Sequence, residues 1–163
     1  MEEAKRGGGN QSNSRRNPKP TDKIMQFVKL QKKDLTDKFV EDLHLTIFGY
    51  SKSAKDFRID GGYAAEKDDG TLFGYLLYKE LSDSEVELMY GGVERDLRGF
   101  STFKVYKQFL DLMFEKYSSI VTSVWNKNFP MLKIYLGLEF EVVGTKLLEN
   151  NSLLLILNKR KEG

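Results

Sequence analysis

The sequence predicts an α/β protein: a single domain built on a mixed, mostly antiparallel sheet flanked by helices, with a parallel strand pair at its centre. Three observations predict it. Strand-like and helix-like apolar patterns follow one another in the order β-α-β-β-β-α-β-α-β-β. Turn residues separate three successive strand signals between residues 63 and 93, which makes an antiparallel meander. A long helix signal then joins the third strand to a β-branched run, and such a connection returns parallel to its start as a right-handed crossover.

The elements justify themselves in turn. Ile24 to Leu30 is a short apolar strand. Lys32 to Phe48 has helical spacing, with Leu35, Phe39, Leu43 and Ile47 on one face, and Asp34 or Thr36 as its N-terminal cap. Ser51 to Asp60 is polar and reads as a loop. Tyr63-Ala64-Ala65 starts the meander, Asp68-Asp69-Gly70 turns it, and Thr71 to Leu81 is its second strand. Asp83-Ser84 turns the chain again into Glu85 to Val93. Gly99 to Tyr117 is the strongest helix, with Lys104, Lys107, Gln108, Asp111 and Glu115 as its polar stripe and apolar or aromatic residues elsewhere. Ile120 to Trp125 is a buried strand and Phe129 to Leu138 a short helix, with Pro130 suited to its first turn. Phe140 to Leu148 and Leu153 to Leu157 close the chain as a hairpin about Glu149-Asn150-Asn151-Ser152.

Residues 1–22 are unlike the rest and read as a disordered basic tail, residues 23–160 as the folded domain, and 161–163 as its end. The tail carries Gly7-Gly8-Gly9 and almost no apolar residue, so burial cannot offset its ordering entropy. Residues 1–23 hold six bases (Lys5, Arg6, Arg15, Arg16, Lys19, Lys23) against three acids (Glu2, Glu3, Asp22), a charge of +3 where the whole chain has +2. The remainder is therefore close to neutral, which argues against nucleic-acid binding by the folded face and leaves the tail as the only basic arm. The chain has no cysteine, which excludes disulfides, thiolate metal sites and a cysteine nucleophile. With a single histidine besides, no transition-metal site is expected. No apolar run approaches the ~20 residues of a membrane span, and Met1-Glu2-Glu3 opens without the apolar region of a secretory signal, so a cytoplasmic protein is expected.

Two segments carry chemistry. Val93 ends a strand, Arg98-Gly99-Phe100-Ser101-Thr102-Phe103 follows, and a long helix opens there. A helix N-terminus presents unpaired N–H groups and a partial positive charge, so it suits a pyrophosphate. Asn128-Phe129-Pro130-Met131-Leu132-Lys133-Ile134-Tyr135 and Glu139-Phe140-Glu141-Val142-Val143-Gly144 come next. These segments resemble the acetyl-CoA motif and the Asn-x-x-Ala-x-x-apolar-Tyr and Gly-Phe-Glu-x-x-Gly segments of the GNAT N-acyltransferase superfamily. The element order agrees over residues 24–158.

The resemblance implies a GNAT-like sheet whose central parallel strands splay apart. It also implies acetyl-CoA as co-substrate and transfer of its acyl group to an amine. Val93, Arg98, Gly99, Phe100, Ser101, Thr102, Phe103 and Asn128 would bind the cofactor, and Tyr135 would be the general acid at the leaving sulfur. Three residues depart from the pattern. Ser101 and Phe103 stand where small residues are usual, and a ring at Phe103 is expected to crowd the pyrophosphate. Glu139 stands in place of glycine.

Each residue also has a plainer reading. Tyr135 suits a core position, Asn128 a helix cap, and Trp125 either the wall of a cleft or core. Glu85 and Glu87 alternate along one strand and share a face, with Tyr90 expected on the other; either is a base candidate, or both are surface charges. The lone His44 reads as structural. The competing functions are a GNAT-like N-acyltransferase, a catalytically inactive GNAT-fold protein such as a phage internal virion protein with protein partners in an assembly, and a module that binds nucleic acid through its tail. In the second case the protein would sit in the host cytoplasm or the virion. The run Met113-Phe114-Glu115-Lys116-Tyr117 is similar to that phage group.

Overall fold

The structure is a computed structural model that describes residues 26–49, 58–94 and 100–162. The tail over residues 1–22, most of the loop from Ser51, and the Arg98-Gly99 turn lie outside the described residues.

The elements follow the expected order: β1 (Gln26–Gln31), α1 (Asp37–Phe48), β2 (Gly61–Glu66), β3 (Leu72–Glu80), β4 (Glu85–Val93), α2 (Phe100–Phe114), β5 (Ser119–Trp125), α3 (Phe129–Gly137), β6 (Glu141–Leu147) and β7 (Leu153–Arg160). They form one seven-stranded sheet in the order β1-β2-β3-β4-β5-β7-β6. Every neighbouring pair is antiparallel except β4 and β5. The expected α/β class and central parallel pair are both present. Thr36, not Asp34, caps α1: its hydroxyl accepts from the Phe39 amide at 3.2 Å, after a 3₁₀ turn over Lys32–Asp34.

The two faces of the sheet carry separate cores. One packs α2 and α3 against the sheet through Val105, Tyr106, Phe109, Leu110, Met113, Tyr135 and Leu138. The other packs Val40, Leu43 and Ile47 of α1 against Leu30, Ala64, Tyr75 and Leu77. The apolar spread of α2 thus supplies the helical side of the larger core, while its lysines and acids stay outside. His44 is buried in the smaller core, its Nδ1 2.5 Å from the Tyr75 hydroxyl.

Two features of β4 set the shape of the sheet's centre. It pairs with β5 only from Glu85 opposite Ser119 to Leu88 opposite Thr122. Across β3, Leu77 faces Tyr90 but Tyr78 faces Leu88, so Met89 is an extra residue without a partner, a β-bulge. The bulge reverses the alternation. Val86 and Leu88 face α2, whereas Tyr90 belongs with the α1 core and meets His44 edge-on at 6.3 Å. Tyr90 therefore shares a face with Glu85 and Glu87, contrary to the side expected from simple alternation.

Candidate functional site

Where β4 and β5 part, a cleft of about 290 Å³ opens between them. It runs through the sheet. Leu76, Tyr106, Thr122, Val124, Met131 and Tyr135 line it from the α2–α3 side, and Tyr90, Ser123 and Trp125 from the α1 side. Gly91 of β4 is needed for its shape. A β-carbon there would stand 2.5 Å from the Tyr106 hydroxyl and 2.7 Å from a Leu76 methyl, so the strand approaches the aromatic wall closer than any larger residue permits.

Tyr135 reaches the cleft from α3 and is only 5% exposed. Its ring packs edge-on to Tyr106 and Phe140, at 5.9 and 5.0 Å between centroids. Burial pushes its hydroxyl up to about 12, and a hydrogen bond with the Thr122 side chain acts the other way. The phenol is thus neutral at physiological pH. Thr122, itself buried, was not singled out by sequence; its place between Ile120 and Val124 on the inward face of β5 is the signal that marks it. Asn128 lines the cleft and also caps α3 as expected, its Oδ1 accepting from the Met131 amide at 3.4 Å.

The remaining expected residues fall in different places. Val93 is buried in the core facing α2. Phe100 and Ser101 open α2, and Arg98 and Gly99 lie outside the described residues. Thr102, in the first turn of α2, is 6% exposed and its hydroxyl oxygen has no hydrogen-bond partner. A buried hydroxyl left in this state at a helix N-terminus is a position where an anionic oxygen would be welcome. The Phe103 ring, expected to crowd a pyrophosphate, packs against α3, where a β-carbon on Gly137 would meet its Cε2 at 3.2 Å. It lines a second, 230 Å³ groove with Lys107, Asp111, Glu139 and Lys159.

Glu85 and Glu87 do not line the cleft. Glu85 sits at the closed end of the parallel pair and accepts a 2.9 Å hydrogen bond from Ser119, which in turn accepts from Asn158 at 2.8 Å. Glu85 therefore ties β4, β5 and β7 together. Among the described residues the cleft lining holds no carboxylate and no histidine. Its ionisable groups are tyrosines, and burial raises the hydroxyls of Tyr90 to about 12 and of Tyr106 well above its ordinary value.

A seven-stranded mixed sheet, opened at the C-terminal ends of its one parallel pair and followed there by a helix N-terminus, is the GNAT acyltransferase fold. No protein-family model and no curated protein matches the chain. Solved structures do. NAA60 of Arabidopsis thaliana in complex with acetyl-CoA superposes with a TM-score of 0.62 at 15% identity, over 85% of this chain and 100% of that one. An IAA acetyltransferase from Bacillus cereus gives 0.62 at 14% identity, over 85% and 100%. The ribosomal-protein-S18-alanine N-acetyltransferase of Escherichia coli gives 0.60 at 14% identity, over 84% and 94%. The shared feature is the fold. No helix among the described residues is long and apolar enough to cross a membrane.

Proposed function

We propose that the protein is an acyl-CoA-dependent N-acyltransferase. The observation that carries this reading is the buried Tyr135 hydroxyl, held beside Thr122 in a cleft that passes between the parted ends of β4 and β5. The neutral, unpartnered Thr102 hydroxyl in the first turn of α2 fits a phosphate group, and with it the Phe100–Thr102 turn and Asn128 would hold acyl-CoA. Acyl-CoA supplies an acyl group activated as a thioester.

The protein's own part rests on the chemistry of its side chains. Tyr135 keeps its proton at neutral pH and presents it at the leaving sulfur. A phenol near 12 holds that proton more tightly than a thiol of ordinary pKa about 8.5, so its contribution is a hydrogen bond to the developing thiolate rather than outright transfer. Among the described residues no cleft-lining side chain is poised to take the amine's proton near neutral pH, so the acceptor enters as the free amine. The net exchange still balances: the amine nitrogen bonds to the acyl carbon, the carbon–sulfur bond breaks, and the displaced proton ends on the thiol.

Calorimetric titration of the full chain with acetyl-CoA tests the reading. Micromolar binding supports it. No binding by a well-folded sample overturns it and favours a GNAT-fold protein with a structural or assembly role.

A further inference from the structure

The cleft has two entrances of different character. The α2 N-terminus and Tyr135 occupy one face of the sheet, while Tyr90, Ser123 and Trp125 open onto the other. That face continues past the cleft in aliphatic residues: across the β5–β7 ladder Trp125 is opposite Leu154 and Ser123 opposite Ile156, and directly paired residues share a face. Trp125 is 45% exposed. A charged group stands against it: the Lys127 Nζ lies 5.8 Å from the ring centroid.

This surface is chemically selective. Among the described residues the lining offers no carboxylate to pair a second positive charge on the acceptor, and Lys127 repels one. An indole face flanked by Leu154 and Ile156 gains most from an aromatic or aliphatic body. Resting on the acyltransferase reading, we infer that the acceptor is a primary amine on an uncharged aromatic or apolar body, seated on Trp125, and that polyamines and basic peptides are poor acceptors. Trp125 is then the residue that sets acceptor selectivity.

Trp125 is the only tryptophan in the chain, so its emission reports on this face without any need for turnover. The experiment titrates the full chain with 2-phenylethylamine, hexylamine and spermidine, following tryptophan emission, and measures acetyl transfer to each from acetyl-CoA. The expected result is saturable quenching or a shift with 2-phenylethylamine and not with spermidine, and kcat/KM at least about tenfold higher for the aromatic amine. Trp125→Ala should remove most of that preference through KM, Trp125→Phe should restore part of it, and calorimetric affinity for acetyl-CoA should stay within about threefold in both. Equal or better use of spermidine, or a preference unchanged in Trp125→Ala, overturns the inference while leaving acyl transfer intact. Where acetyl-CoA fails to bind, the acyltransferase reading falls by itself. The emission titration still decides whether the aromatic amine seats on Trp125.

Discussion

The Phe103 ring closes over Gly137, the last residue of α3, so tightly that a β-carbon on the glycine would lie 3.2 Å from the ring. A bulky side chain near the start of α2 thus serves helix–helix packing. Phe103→Ala should lower stability by about 2 kcal/mol, less than a fully buried phenylalanine would lose, because this ring is only partly covered. Its affinity for acetyl-CoA should remain within about threefold of the parent. Thermal melting and calorimetry on the same sample separate the two effects; a large gain in affinity would show that the ring does obstruct the ligand.

Glu139 adopts a φ of 69°, the left-handed region that glycine enters freely and other residues enter at a cost of about 1 kcal/mol or more. Glu139→Gly should raise the melting temperature by about 3 °C. A fall would mean that the glutamate side chain contributes more than its backbone strain removes.

How much of the fold was legible in the sequence differs between elements, for physical reasons. The four-residue spacing of Phe39, Leu43 and Ile47 found the inward face of α1, because one helix face meeting one sheet face leaves a simple period, whereas Leu35 lies before the helix, after the 3₁₀ turn. The run Glu85 to Val93 was recognisable as a strand for similar reasons. The side taken by Tyr90 was not, because the partnerless Met89 is defined only by the register with β3. The insertion of β7 between β5 and β6 was hidden too, since a hairpin signal does not say which arm meets the rest of the sheet. The polar end of β7 concealed its length: Asn158, Lys159 and Arg160 are strand residues because Val121, Ile120 and Ser119 pair with them. At the site, Tyr135 and Asn128 were visible through resemblance. Thr122 became visible only when the two strands were seen to part.

Gly91→Ala should be severe. The new methyl would meet the Tyr106 hydroxyl, a Leu76 methyl and the Tyr75 carbonyl together, the last at 3.1 Å. Overpacking of this kind destabilises by about 1–3 kcal/mol. Acetyl-CoA binding should weaken at least tenfold in the fraction that folds, since the cleft wall must move. Urea unfolding paired with calorimetry reads both, and unchanged binding would place the ligand elsewhere.

Tyr135→Phe should reduce acetyl transfer about 10²-fold or more while keeping acetyl-CoA affinity, the signature of a group that acts at the leaving sulfur. With no base in the described cleft lining, log kcat/KM of the parent should rise with pH along the acceptor's own amine titration. Glu87→Gln should leave that profile where it is. An inflection near neutrality that Glu87→Gln abolishes would restore a catalytic role to the carboxylate.

Alkaline pH should unfold the protein steeply. Tyr63, Tyr90 and Tyr135 are all raised to about 12, burial being the largest cause in each. Their stabilising contribution is complete below the unfolded value near 10, where both states are protonated. It declines above 10, as the unfolded chain releases protons that the folded one retains. Together the three should give a loss of about 3 kcal/mol per pH unit between 10 and 12. Urea midpoints taken from pH 8 to 12, alongside tyrosinate absorbance, check this; a flat profile to pH 11 would show that the rings ionise without unfolding.

Met89 divides β4 into two stretches that answer to different demands. The stretch before it, Glu85 to Leu88, is bonded to neighbours on both sides and works as a hinge pin for the sheet. The stretch after it, Tyr90 to Val93, has lost β5 as a neighbour and exchanged its inward and outward faces. Deleting that single residue would make the β3–β4 ladder continuous and leave Tyr90 facing α1 and Gly91 facing α2, as they do now. The unpaired residue stands where β4 takes leave of β5, so the kink and the doorway begin at the same point of the strand.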